Sequence, residues 1–309
     1  MFSGNGESPF PENKYERGKR MKTLRDKKAI VFFLAPAFLI YTWIVFIPII
    51  ESVYYSMIDW NGIGSKVFVG LDNYILLFKD SVFVQALSNN LRYIMFVVFI
   101  QIIFGLTAAV LLTYLKKGRG FIQTVYFIPS VITVVAIIQL FRTFYSFEPV
   151  GLLNQLLIFL GFNPVAFLSD YSTALFSVAL VEGWQYIGIY MIIFYSALVS
   201  IPGEIEEAGR IDGANELQLL FKIKFPYIKN VFGLALILSL VGGLRGFAAP
   251  LLLTRGGPNH QSEILATYMY KKAFSSQQLG YGSSISVVIM ILSLVCVLLI
   301  NRYSSRSNE

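Results

Sequence analysis

The 309-residue chain is poor in charge, histidine and cysteine. Asp, Glu, Lys and Arg make up 14% of it, against about 25% in an ordinary soluble domain. So few charges cannot cover the surface of a water-soluble fold, and 56% of the residues are hydrophobic. A single cysteine, Cys296, excludes a disulfide within the chain. With one histidine, His260, no Cys/His metal cluster can be assembled. Cys296 reads as a small apolar residue inside the last apolar run, and His260, in GGPNHQSE, as a solvated loop histidine. No GxxxxGK(S/T) phosphate loop occurs, so nothing in this sequence cradles ATP. The apolar runs carry no nucleophile–base pair and no metal-ligand set, which argues against an intramembrane enzyme.

What is present is hydrophobic length. Six apolar segments stand out, at 29–50, 91–115, 121–144, 174–201, 231–254 and 284–300. Each can cross about 30 Å of hydrocarbon at roughly 1.5 Å per residue. The last is the shortest, and its helix is open to an earlier start in GYGSSIS. These segments predict an all-α integral membrane protein with about six transmembrane helices: a basic tail at 1–28, then a membrane domain at 29–309. The tail is long and mixes acids with bases, and no small-x-small cleavage site follows it. The first apolar segment therefore reads as a retained helix and not as a secretory signal.

The net charge of +7 does not point to nucleic acid, because the basic residues flank the apolar runs and form no single basic face. They set an orientation instead. The tail, the 116–119 link, the loop after the fourth segment (Arg210, Lys222, Lys224, Lys229) and the carboxyl end (Arg302, Arg306) hold most of them. The other side has Lys66, Lys79, Arg255, Lys271 and Lys272. Both termini and the loop at 202–227 are thus expected in the cytoplasm. On the outer side, 52–90 reads as a long loop. The run GLLNQLLIFLGF in 147–171 reads as an interfacial or re-entrant helix, and 262–274 as a short amphipathic one.

The loop at 202–227 reads PGEIEEAGRIDGANELQLLFKIKFPY. Pro202 suits a helix start, and Glu204, Glu206 and Glu207 suit its first turns, where carboxylates complement the helix dipole. Gly213 breaks that helix. Asn215 followed by Gln218 has capping-box spacing and begins a second one, with Leu217, Leu220 and Phe221 on a shared face. Pro226 closes it. Two short helices joined at DGAN serve equally well as a plain amphipathic connector or as a contact surface. In the latter case the small residues Ala208, Gly209, Gly213 and Ala214 let another protein approach the backbone.

The pattern Glu207-Ala208-Gly209-x-x-Asp212-Gly213-Ala214, followed by Ile223-x-x-Pro226, resembles the EAA loop of binding-protein-dependent ABC importer permeases. FVGLDNY, GLLNQLL, LLLTRGGPN and TYMYKKAF are similar to the carbohydrate-uptake subfamily of maltose and glycerol-phosphate type. The likeness covers most of the chain. It departs from the commonest form in Gly209, where a second alanine is usual, a change that weakens a helix by up to about 1 kcal/mol.

The resemblance implies that Glu207, Ala208, Gly209, Asp212, Gly213 and Ala214 dock into a separate ATPase subunit, which binds the ATP and Mg that this chain does not. It further implies a bacterial cell-membrane permease paired with a second, related permease, two ABC ATPases and an extracytoplasmic solute-binding protein. The expected cargo is a sugar or oligosaccharide. An ion-coupled secondary carrier is the alternative; it predicts internal symmetry and leaves the 202–227 loop unexplained.

Two segments carry ionisable groups far from their ends: Glu182 in the fourth and Arg245 in the fifth. Such charges cost about 2.5–3.5 kcal/mol each at a bilayer centre. They either pair with each other or face a path. Trp184, Gln185 and Tyr190 would supply an aromatic face and polar groups for a sugar, or simply pack. Family likeness places both segments along the translocation path. Gln101, Gln139 and Arg142 are secondary candidates, Arg142 being long enough to snorkel outward. An Arg245 facing the path would favour an anionic cargo; which sugar is carried is not legible from these residues.

Overall fold

The structure, a computed structural model, describes residues 27–306. The basic tail at 1–28 therefore lies almost wholly outside the described residues. The chain divides into two compact units, 1–54 and 55–309. In the first, α1 (Lys27–Tyr41) passes through a π turn at Thr42–Phe46 into α2 (Ile47–Ser56), whose last residues belong to the second unit. The apolar run Ile30–Ser56 has 27 residues and buries none of its apolar window inside the chain, as suits a helix solvated by lipid tails.

The second unit opens with a two-strand ribbon, β1 (Ile58–Asp59) antiparallel to β2 (Val67–Phe68), and a short helix α3 (Asp72–Lys79). α4 (Ser81–Phe99) continues through a π turn into α5 (Gly105–Tyr114). Then come α6 (Arg119–Val131), α7 (Val134–Tyr145), the short α8 (Leu152–Phe159) and the long α9 (Ala174–Val199). α10 (Gly203–Ile211) and a helical stretch α11 (216–227) form the polar loop. α12 (Lys229–Leu244), α13 (Ala248–Leu253), α14 (Leu265–Tyr270) and α15 (Leu279–Arg306) complete it. Among the described residues five helices are long and apolar enough to cross a membrane, or six if α6 and α7 together make one span. The all-α, multi-span architecture is the expected one.

Three boundaries differ from the sequence expectation. The second span begins at Ser81, not 91, because Asp80 caps it by accepting from the Val82 N–H at 2.9 Å. Most of the supposed loop at 52–90 is therefore helix. The third span is not one helix: α6 and α7 meet at 96°. Ile132 and Thr133 are both extended, and Pro129 has already removed an N–H from the ladder of the preceding turn. The sixth span starts at Leu279, ahead of GYGSSIS.

α9 is the central post, packing on α4, α5, α6, α7, α12 and α13. Its glycines set those distances: a Cβ on Gly188 would lie 2.0 Å from the Tyr126 carbonyl oxygen of α6. Two apolar clusters stack along it. One joins Tyr93, Phe141, Val178 and Ala249; the other, nearer the polar loop, joins Ala109, Met191, Phe194 and Ala235. A third, around Leu77, Phe83, Leu265 and Ile285, ties α3 and α4 to α14 and α15 at the opposite end.

Candidate substrate path and coupling loop

Two of the path candidates, Glu182 and Arg245, lie by the break of the fifth span. α12 ends at Leu244, and residues 245–247 are non-helical before α13 begins. The unwinding invited by Gly242, Gly243 and Gly246 thus occurs at Arg245. A Cβ on Gly246 would lie 3.0 Å from the Tyr93 ring and 3.4 Å from a Glu182 oxygen, so α4, α9 and α12 meet in one layer. The Tyr93 hydroxyl donates to Glu182. Arg245 is exposed and makes no ion pair among the described residues. The Glu182–Arg245 pair, one of the two readings open from sequence, does not form.

Trp184 is partly exposed and stacks edge-on against Phe141 at 5.3 Å. It lines a groove of about 360 Å³ with Tyr126, Pro129 and Ile187. Gln185 turns the other way and is buried, donating to the Ile132 carbonyl at 3.2 Å. Tyr190 is buried and hydrogen-bonded to Ser239, whose hydroxyl donates to Gln101 at 2.6 Å. Gln185, Tyr190 and Gln101 are thus buried inside the bundle, while Glu182 is half-buried and Trp184 and Arg245 are exposed. Gln139 is exposed, and Arg142 donates to the Leu252 carbonyl of α13, so it does not simply snorkel. Sequence reasoning passed over Arg92 and Tyr93 of α4, which stand at the very start of the 91–115 segment.

At the end of the bundle that carries the polar loop, α10 closes as its residues demand. Gly213 has φ +83°, a conformation that favours glycine. The Ala214 N–H donates to the Gly209 carbonyl and the Gly213 N–H to that of Arg210, a Schellman closure. Asn215 and Gln218 then form the expected capping box, with bonds of 2.8 and 2.9 Å.

Glu207, Ala208, Asp212 and Gly213 are exposed and Ala214 partly so. Gly209 is not: it is buried against α11, where a Cβ would meet Ile223 at 2.5 Å and Leu219 at 2.8 Å. Its smallness lets α10 and α11 pack closely within the loop. The apolar pattern also differs, since Leu219 is the fully buried residue while Ile211, Leu217 and Phe221 are exposed.

Ion pairs brace the two helices. Lys224, almost buried, bonds Glu206 at 2.9 Å, and Arg210 bonds Glu216 at 2.7 Å. The Tyr114 hydroxyl of α5 donates to Glu216 at 3.0 Å, so the loop is fastened to the bundle. None of these links was evident from sequence spacing.

The opposite end is held by polar staples. Glu263 is fully buried, pairing with Lys271 and with His260 at 3.0 Å, and accepting from the Thr267 hydroxyl at 2.6 Å. His260 is thus a hydrogen-bond partner of Glu263 and not a freely solvated side chain. Thr267 and Tyr268 are buried, so α14 is a packed element and not a surface amphipathic helix. Asn154 is buried in α8, donating to the Ser146 and Val165 carbonyls and accepting from the Val165 N–H.

Asp80 accepts from the hydroxyls of Tyr268 and Tyr281 as well as from Val82. Burial alone would raise its carboxyl; these bonds outweigh that and hold it below the ordinary value. Asp59, Asp72, Asp80, Lys272 and Tyr281 line a cleft of about 460 Å³ there.

Comparison with known proteins bears on this arrangement. Residues 101–308 match the family described as binding-protein-dependent transport system inner membrane component. The chain is 39% identical to the probable ABC transporter permease protein YurN of Bacillus subtilis, over 90% of this chain and 96% of that one. It is 30% identical to the probable starch degradation products transport system permease protein AmyD of Thermoanaerobacterium thermosulfurigenes, over 94% and 98%. In fold it is similar to a bacterial alginate ABC transporter solved in complex with an alginate pentasaccharide-bound periplasmic protein. That match has a TM-score of 0.79 and 22% identity, and covers 96% of this chain and 98% of that one. With its matched region covering well over half the sequence, this multi-pass membrane chain belongs to the binding-protein-dependent transport system inner membrane component family.

Proposed function

We propose that this chain is one permease subunit of an ATP-driven importer that takes a sugar or oligosaccharide from an extracytoplasmic binding protein and releases it into the cytoplasm. The observation that carries the coupling half of the reading is the 202–227 loop. It is a braced two-helix unit that presents Glu207, Ala208, Asp212, Gly213, Leu217 and Phe221 outward. A rigid handle of this kind transmits the movement of a docked partner, because its ion pairs and its tie to Tyr114 resist internal bending. Two ATPases need two handles and the chain has one, so a second related permease completes the assembly. The termini and this loop lie on the cytoplasmic side, as the basic residues require. The sugar half draws on relatives such as AmyD, named for starch degradation products.

Glu182 and Arg245, by the break of the fifth span, and Trp184, in the groove beside α6, line the passage, which opens alternately to each side as the ATPases close and separate. The cleft of about 460 Å³ at the opposite end from the loop faces the binding protein. The test is ATP-dependent uptake by the assembled transporter, with and without vanadate or an ATPase-dead partner. Uptake that persists without hydrolysis would sink the reading. Replacing Glu207 and Gly213 together should leave the protein in the membrane and hydrolysis intact, while cutting uptake about tenfold or more, since loss of a coupling contact shifts the switch by 1.4 kcal/mol or more. Unchanged uptake per ATP would return the loop to a mere connector.

A further inference from the structure

We infer that the cargo is a saccharide bearing an oxyanion, selected by Arg92 and Arg245. This deepens the sugar-permease reading and rests on it. Within the spans of the second unit, apart from their first residues, the ionisable side chains of Asp, Glu, Lys and Arg are Arg92, Arg142, Glu182 and Arg245. Three are cations and one is an acid. Two of the four are occupied: Arg142 by the Leu252 carbonyl, and Glu182 by the Tyr93 hydroxyl. Arg92 and Arg245 are exposed, and their side chains make no hydrogen bond or ion pair to any described residue.

A guanidinium cannot shed its proton, so at bilayer depth it must face water, a partner or a ligand. The two arginines begin from one layer, being chain neighbours of Tyr93 and Gly246; a Cβ on Gly246 would lie 3.0 Å from the Tyr93 ring. Beside Arg245 the backbone at 245–247 is non-helical. Such backbone is tolerated at this depth where it is buried in protein or lines a water-filled cavity, and exposed Arg245 selects the cavity. The one acid of the layer, Glu182, accepts from the neutral Tyr93 hydroxyl, so two cations stand there against a single acid.

Two permanent cations are a poor match for neutral hydroxyls, which leave them desolvated without an anion. They suit a carboxylate or phosphate, whose oxygens meet the planar guanidinium in paired bonds. Their field also concentrates anions in the passage.

The experiment uses the whole transporter, with its partner permease, ATPases and binding protein, in proteoliposomes. These are offered one mixed pool of neutral starch oligosaccharides, uronate oligosaccharides from pectin, and sugar phosphates. Species accumulated in an ATP-dependent manner are identified by mass spectrometry. Acidic species should enter. Arg92→Gln and Arg245→Gln should each cut their entry at least tenfold while leaving co-purification with the ATPase unchanged, and Arg245→Lys should restore part of it. The uronate and phosphate arms separate the two sources of the oxyanion. Entry of neutral species alone, or of acidic ones at full rate in both Gln variants, overturns the anionic cargo and leaves the sugar reading standing. No ATP-dependent entry of any saccharide overturns both.

Discussion

The Gln185 side chain of α9 donates to the Ile132 carbonyl at 3.2 Å, at the point where α6 and α7 turn 96° away from each other. A bend of that size frees backbone acceptors, and in a membrane protein water is not at hand to satisfy them. Gln185 is buried and supplies the missing donor. Gln185→Leu should therefore lower stability by about 1–3 kcal/mol, the usual penalty for a buried acceptor left alone. The measurement is the thermal unfolding midpoint of the purified transporter. An unchanged midpoint would show that the bend holds without this bond.

The polar loop offers a test of packing against docking. Gly209→Ala places a methyl 2.5 Å from Ile223 Cδ1 and 2.8 Å from Leu219 Cδ2, so α10 and α11 must separate slightly. The variant should lose uptake per ATP, although alanine favours helix by about 1 kcal/mol over glycine. Adding Ile223→Val removes the nearer clashing carbon and should restore coupling. If the single change already couples normally, the tight fit has no functional weight.

Glu206→Gln leaves the almost buried Lys224 ammonium without its anion. Breaking one side of a buried pair costs about 3–5 kcal/mol; Glu206 is partly exposed, so the low end applies. Protease sensitivity of the 202–227 loop should rise, and the double variant with Lys224→Met should recover part of the loss. Equal sensitivity in both would mean that the pair does not brace the loop.

Acid should loosen the opposite end of the bundle. The folded-state carboxyl of Asp80 lies below its ordinary value of 3.8, held there by hydrogen bonds that outweigh burial. A depressed acid stabilises the fold fully above its unfolded value, and the benefit disappears as pH falls through the lower folded one. The gap in unfolding midpoint between the natural chain and Asp80→Asn should be constant at neutral pH and narrow below about pH 3.8. A gap that widens on acidification would reverse the assignment.

The spans were readable because they rest on apolar length, and the DGAN break because φ +83° at Gly213 and the Asn215–Gln218 cap are local chemistry. The bend at Ile132 was not read from the sequence: Pro129 marks a weakened ladder, but the residue that sustains the bend, Gln185, lies 53 positions away. Arg92 was passed over for a related reason: the span was started at 91, which put Arg92 at its edge, whereas Asn89 and Asn90 lie within the helix and are buried against the 260s. At the path, residue types suggested a set of five side chains. Helix facing then divided them, since Gln185 and Tyr190 are buried while Trp184 and Arg245 are exposed.

That asparagine junction has a bearing on biogenesis. Asn89 donates to the His260 and Glu263 carbonyls, and Asn90 accepts from the Leu265 N–H, across 171 to 175 residues of sequence. At bacterial elongation speeds the ribosome needs roughly 10–35 s to make that much chain. Throughout that interval the second span sits in the membrane with amides awaiting partners not yet synthesised. The junction is therefore closed only after the fifth span has been made, when residues 260–265 arrive to take up those amides.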